Sequence, residues 1–242
     1  MARLTWDQTS ERQYETGVDH AVLYPGNGKG VVWNGIISIN ESSSGAEPTA
    51  IYADNTKYLN LLSAEEFSAT VEAYSYPPAL KRSLGEVDLL NGVTVAQQTR
   101  HPFGLCYRTQ IGNDQNGSDH GYKLHLIYHC MAAPTERAYS TVNDTPEAVT
   151  LSWEITTSPV PVEGHKPTAT VVMDSTKFYA DGLVNVLRSI EDALYGTDTS
   201  DARILYITDI QFLFRTGMYL LDDESEQLLD SSENPIRSQI FS

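Results

Sequence analysis

The chain predicts a mainly β protein: a β-sandwich with one or two peripheral α-helices. Three runs carry that prediction. Phe103–Ile111 (FGLCYRTQI), Tyr122–Cys130 (YKLHLIYHC) and Glu147–Thr157 (EAVTLSWEITT) alternate apolar and polar residues, the period of a half-buried strand. Phe67–Tyr74 (FSATVEAY) repeats the pattern, with Phe67, Ala69, Val71 and Ala73 on one face and Ser68, Thr70, Glu72 and Tyr74 on the other. Tyr76-Pro77-Pro78 ends it, because proline donates no ladder hydrogen bond and restricts its predecessor.

The remaining elements follow in chain order. Val31–Asn40 reads as a strand entered from the turn-rich Pro25–Gly30 and left through the polar Glu41–Pro48. Thr49–Tyr52 and Lys57–Leu62 read as two short strands around a turn at Asp54–Asn55. Leu80–Arg100 mixes a short helix with loop, and Pro167–Met173 is a further strand. Leu183, Leu187, Ile190 and Leu194 repeat at helical spacing, which predicts a helix near 181–195 with Asp181 as N-cap and Gly196 as stop. For Ile204–Leu221, helix and strand are equally defensible.

Gly112–Gly121 (GNDQNGSDHG) reads as a long polar excursion between two strands, where a tight hairpin needs only two to five residues. The stretch implies a surface loop used for self-assembly, with Asn113, Asp114, Asn116, Gly117 and Asp119 as its residues. Trp153 shares a face with Val149, Leu151 and Ile155 and is expected in the core.

Length, at 242 residues, fits one large β-rich domain or a domain with an appendage. Apolar residues make up 40% and aromatics 10%, enough for a sizeable core. The net charge of −16 disfavours binding to nucleic acid or to an anionic membrane, since a DNA binder gains affinity by releasing phosphate counterions with Lys and Arg. No segment approaches the roughly 18 consecutive apolar residues of a membrane helix, and the first residues, MARLTWDQTSERQYE, contain no apolar signal core. If the strands around Cys106 and Cys130 form a hairpin, Leu105 and Tyr107 should share a face with Leu124, Leu126 and Tyr128. Cys106 then points away from that face and Cys130 into it, which implies free thiols and cytosolic synthesis.

Chemistry-bearing patterns are incomplete. Gly26-Asn27-Gly28-Lys29-Gly30 fails the phosphate-loop pattern, which wants glycine at Leu23 and Ser or Thr at Gly30. Gly112–Lys123 has calcium-loop offsets at Asp114, Asn116 and Gly117, but Gly112 and Lys123 stand where the first and last ligands belong. His125 and His129 are four apart, the zinc spacing of a helix; on a strand they are about 13 Å apart. Lys123, His125, Ile127 and His129 instead read as the less buried face of a sheet. Asp119-His120, or Cys106 with His101, has no accompanying nucleophile elbow or Cys–His signature, so no catalytic, metal or cofactor site is expected.

Several ordered blocks resemble the major tail tube protein of long, non-contractile-tailed bacteriophages, the actinobacteriophage type most. They are Tyr14–Pro25 (YETGVDHAVLYP), Val31–Leu61, Ser63–Pro77 (SAEEFSATVEAYSYP), Arg100–Asp114 (RHPFGLCYRTQIGND), Gly117–Tyr128 (GSDHGYKLHLIY) and Pro134–Val160. A weaker likeness continues through Lys166–Ser175 (KPTATVVMDS) to Glu191–Thr197 (EDALYGT). The chain then divides into a tail tube β-domain over 1–197 and an acidic C-terminal extension over 198–242, which carries nine acidic and three basic residues and departs from the family pattern.

The resemblance implies a β-sandwich whose sheets join across six subunits into a ring with an inner β-barrel. The rings would stack into a virion tail tube around a tape-measure protein, closed by terminator and tail-tip proteins, and double-stranded DNA would pass through without specific binding. Acidic residues of the wall would repel phosphates, with Glu72 and Glu154 as lumen-facing candidates. Two rivals differ in class. A virion β-sandwich binding carbohydrate or a receptor would use Trp33, Trp153 and surface Tyr as stacking platforms. A cysteine or metal hydrolase would depend on Cys106 or a bound ion.

Overall fold

The computed structural model describes residues 6–217, apart from 8, 27–28, 140 and 142–147. Twelve strands and three α-helices are assigned among them, with antiparallel pairing throughout. The central sheet runs β2 (Val31–Val32), β1 (Gln13–Pro25), β9 (Phe103–Asn113), β10 (Gly117–Ala132), with β12 (Thr170–Asp174) beyond β10. The second sheet runs β11 (Leu151–Thr156), β6 (Glu65–Ala73), β3 (Ile36–Gly45).

β10 belongs to both sheets. Its residues Lys123–Ile127 pair with β12. After an irregularity between Ile127 and Cys130, where His129 takes a φ of 46°, Met131 and Ala132 pair with β11 instead. A bulge bends a long strand sharply enough to turn the corner between sheets.

The sheets enclose one core and the helices enclose another. Leu23, Leu105, Tyr107, Ile127, Val71, Trp153 and Ile155 fill the space between the sheets. On the far side of the central sheet, Val22, Cys106, Leu124, Leu126 and Tyr128 meet Leu187, Ile190 and Leu194 of α2 (Val184–Tyr195) and Leu205. Each such side chain contributes about 1.5–3 kcal/mol on full burial. Tyr24 Oη donates to Leu194 O at 2.6 Å and Tyr128 Oη to Leu205 O at 2.8 Å, so the layers are also joined by directed bonds.

Burial on both faces corrects the expected hairpin faces. Leu105 lies opposite Ile127, and Cys106 opposite Leu126. Leu124, Leu126 and Tyr128 therefore share a face with Cys106, not with Leu105 and Tyr107. Ile127 is fully buried rather than on a wetter face. Beyond the bulge, Cys130 lies opposite Phe103 and joins the inter-sheet core. The cysteines occupy different cores, and both are free and buried.

Helix boundaries shift as well. α1 (Ser175–Ala180) starts at Asp174, whose side chain accepts from Thr176 N at 2.9 Å. Asp181 is the C-cap of α1; α2 begins after Leu183 and stops at Gly196, where φ is 81°. Ile207–Gly217 forms α3, a helix.

The predicted strand over Val31–Asn40 divides at Trp33–Gly35, and the polar run Glu41–Gly45, expected as a loop, extends β3. β3 and β6 pair as far as Gly45 and Glu65. Past residues 46–47 and 63–64 the same two-stranded ribbon resumes as β4 (Pro48–Ala53) and β5 (Thr56–Leu62), closed at Asp54 and Asn55 with φ of 50° and 61°. Those angles suit the primed turns that match strand twist. We call this outer ribbon the arm. A smaller ribbon, β7 (Val87–Leu90) with β8 (Val93–Val95), follows a single 3₁₀ turn at Pro78–Arg82.

Candidate functional site

The outward face of the second sheet is a grid of polar side chains. Pairing aligns Ser152, Glu72 and Ser38 in one row, Glu154, Thr70 and Asn40 in the next, and Thr156, Ser68 and Ser42 in the third. Strand spacing near 4.8 Å and a rise near 3.4 Å per residue make it about 10 by 14 Å. The intervening residues Ala69, Val71, Ala73, Trp153 and Ile155 point inward and are buried, which fixes the grid's orientation. Glu72 is half-buried and accepts from Ser38 Oγ at 3.0 Å; Glu154 is exposed. None of the nine is Lys or Arg. Both acids proposed for a channel wall thus share one solvent face.

The arm is the second feature. Ile51, Tyr52, Tyr58, Leu59, Leu61 and Leu62 are all exposed, Tyr52 and Leu62 at 69%. Among the described residues, β4 and β5 pack closely only on each other. A two-stranded ribbon in water is marginally stable, and apolar clusters of this kind mark contact surfaces. The β7–β8 ribbon likewise exposes Val87, Leu89, Leu90 and Val93, and its base is tied by Lys81 Nζ to Asp88 Oδ1 at 2.8 Å.

The segment Gly112–Gly121 is not the open excursion that its composition suggests. β9 continues to Asn113, β10 begins at Gly117, and three residues turn between them. Asn113 is buried, and its Oδ1 accepts from Gln115 N at 3.1 Å and Asn116 N at 2.6 Å. Gly117 takes a φ of 57°, the left-handed residue that closes a three-residue hairpin. Asp114 accepts from Ser10 N at 2.9 Å. Asp114, Asn116, Gly117 and Asp119 stay exposed at the tip, available to a neighbour. Strands that run past the core lose their apolar face, so the segment reads as loop.

A polar cluster lies where the arm's root meets the central sheet, with His125 and Tyr107 buried and Glu15 and Glu41 at its open edge. His125 stacks on Tyr107 with ring centroids 4.6 Å apart. Its Nε2 is 3.0 Å from Thr109 Oγ1 and 3.6 Å from Glu15 Oε1, and its Nδ1 is 3.5 Å from Glu41 Oε1. Tyr107 Oη donates to Glu41, Thr109 Oγ1 donates to Glu15 at 2.6 Å, and Lys123 pairs with Glu15. A hydrogen bond from protonated His125, and then one from Tyr107, holds the Glu41 carboxyl below the usual carboxylate range against the opposing effect of burial. Burial also resists ionisation of Glu15, but Lys123 and Thr109 outweigh it and lower its pKa. Burial, then Glu41, pushes the Tyr107 hydroxyl up. Glu41 occupies an inward position opposite Ala69 on β6, so its carboxylate enters the inter-sheet layer. The sequence signal was there: Glu41 stands two residues beyond the inward Ile39.

The rival sites fare differently in the geometry. Trp33 and Trp153 are 3% and 2% exposed, so neither offers a ring face to a sugar. Burial pushes the Cys106 thiol up to about 12, out of reach of the thiolate a nucleophile needs. His125 is buried whereas His129 is exposed at the bulge. No cluster of metal-ligating side chains occurs among the described residues, and no helix among them is long and apolar enough to cross a membrane. A cleft of about 700 Å³ is lined by Pro25, Ala79, Arg82, Ser83, His101 and Pro102.

No family model matches the chain, and no curated protein matches it. Among solved structures, it is similar to a chain of an extracellular contractile injection system, the PVC sheath–tube complex in the extended state. Identity is 10% and the TM-score 0.29, over 64% of this chain and 88% of that one. A TM-score that low does not establish a shared fold.

Proposed function

We propose that the protein is a structural subunit that assembles with copies of itself into stacked hexameric rings, the tail tube of a bacteriophage virion. The observation that carries this reading is the arm. Six large apolar side chains on a ribbon that packs closely on no other element among the described residues need a surface to cover them, and a neighbouring copy supplies one at every position of a repeating assembly. Closure of strands between copies also removes exposed sheet edges, such as the outer edge of β3.

The resemblance of the blocks between Tyr14 and Thr197 to tail tube proteins supports the tube rather than another assembly. The grid bearing Glu72 and Glu154 supports a channel wall: hydroxyls and carboxylates offer a duplex no counterion-releasing cation, so DNA slides past without adhering. On this reading the subunit is made in the host cytoplasm, surrounds a tape-measure protein, and meets terminator and tail-tip proteins at the tube ends. The exposed tip at Asp114–Asp119 serves contacts between copies.

The test is to place charges on the apolar face of the arm. Tyr58→Glu with Leu61→Lys should leave the subunit folded, because both residues are exposed, yet leave it unassembled in sedimentation and negative-stain images. Normal assembly by that variant would remove the arm from the interface.

A further inference from the structure

We propose that His125 is a proton-operated latch between the central sheet and the root of the arm. Hydrogen-bond accounting leads there. Thr109 Oγ1 lies 2.6 Å from Glu15 Oε1, and a carboxylate only accepts, so the single hydroxyl proton is committed to Glu15. The same hydroxyl oxygen, 3.0 Å from His125 Nε2, must then accept, so Nε2 carries hydrogen. A neutral imidazole has one N–H, which leaves Nδ1 a bare lone pair. That lone pair is buried, has no hydrogen-bond partner among the described residues, and faces Glu41 Oε1 at 3.5 Å.

Two acceptors that face one another repel, the more so because Nδ1 is shielded from water. One proton from solvent on Nδ1 turns the repulsion into a charge-assisted hydrogen bond to Glu41. Every packed element places a group there: Glu15 on β1, Glu41 on β3, Tyr107 and Thr109 on β9, and Lys123 on β10. Lys123 is neutralised by Glu15, so it does not oppose the proton at the Glu41 end. Glu41 lies on the strand that continues into the arm, so the proton fastens the arm's root to β10. Acidification tightens the junction and alkaline conditions loosen it. Only its consequence for assembly rests on the function proposed above.

The test is hydrogen exchange of the full chain, read by mass spectrometry at pH 8 and pH 5.5 and corrected for the intrinsic pH dependence of exchange. In the unaltered protein, amides over residues 39–42 and 68–70 should open about tenfold less often at pH 5.5, the worth of one charge-assisted hydrogen bond. In Glu41→Gln the side-chain amide donates to the bare Nδ1, so those amides should already be slow at pH 8 and change little. His125→Gln should also lose the change. Parallel pH responses in the unaltered chain and Glu41→Gln would overturn the latch, as would an intact response in His125→Gln. Glu41→Gln is isosteric, and its amide nitrogen in the Oε1 position can donate both to Nδ1 and to the Tyr107 hydroxyl, which turns from donor to acceptor, so it carries the test if His125→Gln does not fold. A chain that shows the latch but never assembles would overturn the tube reading alone.

Discussion

Trp33 and Trp153 meet edge to face in the inter-sheet core, their ring centroids 5.5 Å apart and their planes inclined at 67°. Tyr76 packs on Trp153 at the same distance, and Trp33 Nε1 donates to Ser75 O at 2.9 Å. One indole thus pins the start of the second sheet to the strand that closes it.

Trp153→Ala should destabilise the subunit by about 3–5 kcal/mol, because the cavity left behind cannot be filled by residues already held by two other rings. Chemical denaturation of the soluble subunit measures it. A midpoint near that of the parent would mean that Trp153 contributes no core packing, contrary to its burial.

Asp19 supplies a pH dependence of determinate sign. Burial opposes its ionisation, but Arg108, Gln110 and His20 outweigh that and hold the carboxyl down at about 2. Arg108 Nε and Nη2 donate to it at 2.7 and 3.1 Å. A carboxylate with an unfolded pKa of about 3.9 therefore stabilises the fold fully above about pH 4. That contribution is lost as pH falls toward 2. Asp19→Asn should flatten the acid limb of stability between those values, and a limb of unchanged steepness would show that other groups set it.

Asn113 closes the β9–β10 hairpin by accepting from two backbone amides, so Asn113→Ala leaves both without a partner. The expected loss is about 1–3 kcal/mol, accompanied by faster exchange at Gln115 and Asn116. Asn113→Asp keeps the acceptor and should retain most of the stability.

The fold's strands were largely legible because period-two alternation survives wherever one face is buried: β6, β9 and β11 sit within a few residues of their expected places. It failed where that condition fails. The middle of β10 is buried on both faces, so alternation there assigned Ile127 to the wrong environment. β1 was missed for the same reason, with Ala21, Val22, Leu23 and Tyr24 all buried in a row. Glu41–Gly45 and Gly112–Gly121 read as loops because strands that extend beyond the core have no apolar face to show. The outward orientation of Glu72 and Glu154 was readable from their alternation with core positions. The Glu15–His125–Glu41 cluster was not, because it joins residues 110 positions apart that only the register of three strands brings together.

Reversal of charge on the grid tests the wall. Glu72→Lys with Glu154→Lys should leave folding nearly unchanged, since both side chains face outward. Assembled material should then retain double-stranded DNA in a salt-dependent way, which the parent should not. Retention that is equal in parent and variant would place the grid away from the channel.

The most direct measurement is negative-stain electron microscopy of the purified full chain. Rings or tubes of one diameter are expected, built from repeated copies through the exposed arm. A field of discrete, monodisperse particles with no rings or tubes at any protein concentration would contradict that assembly.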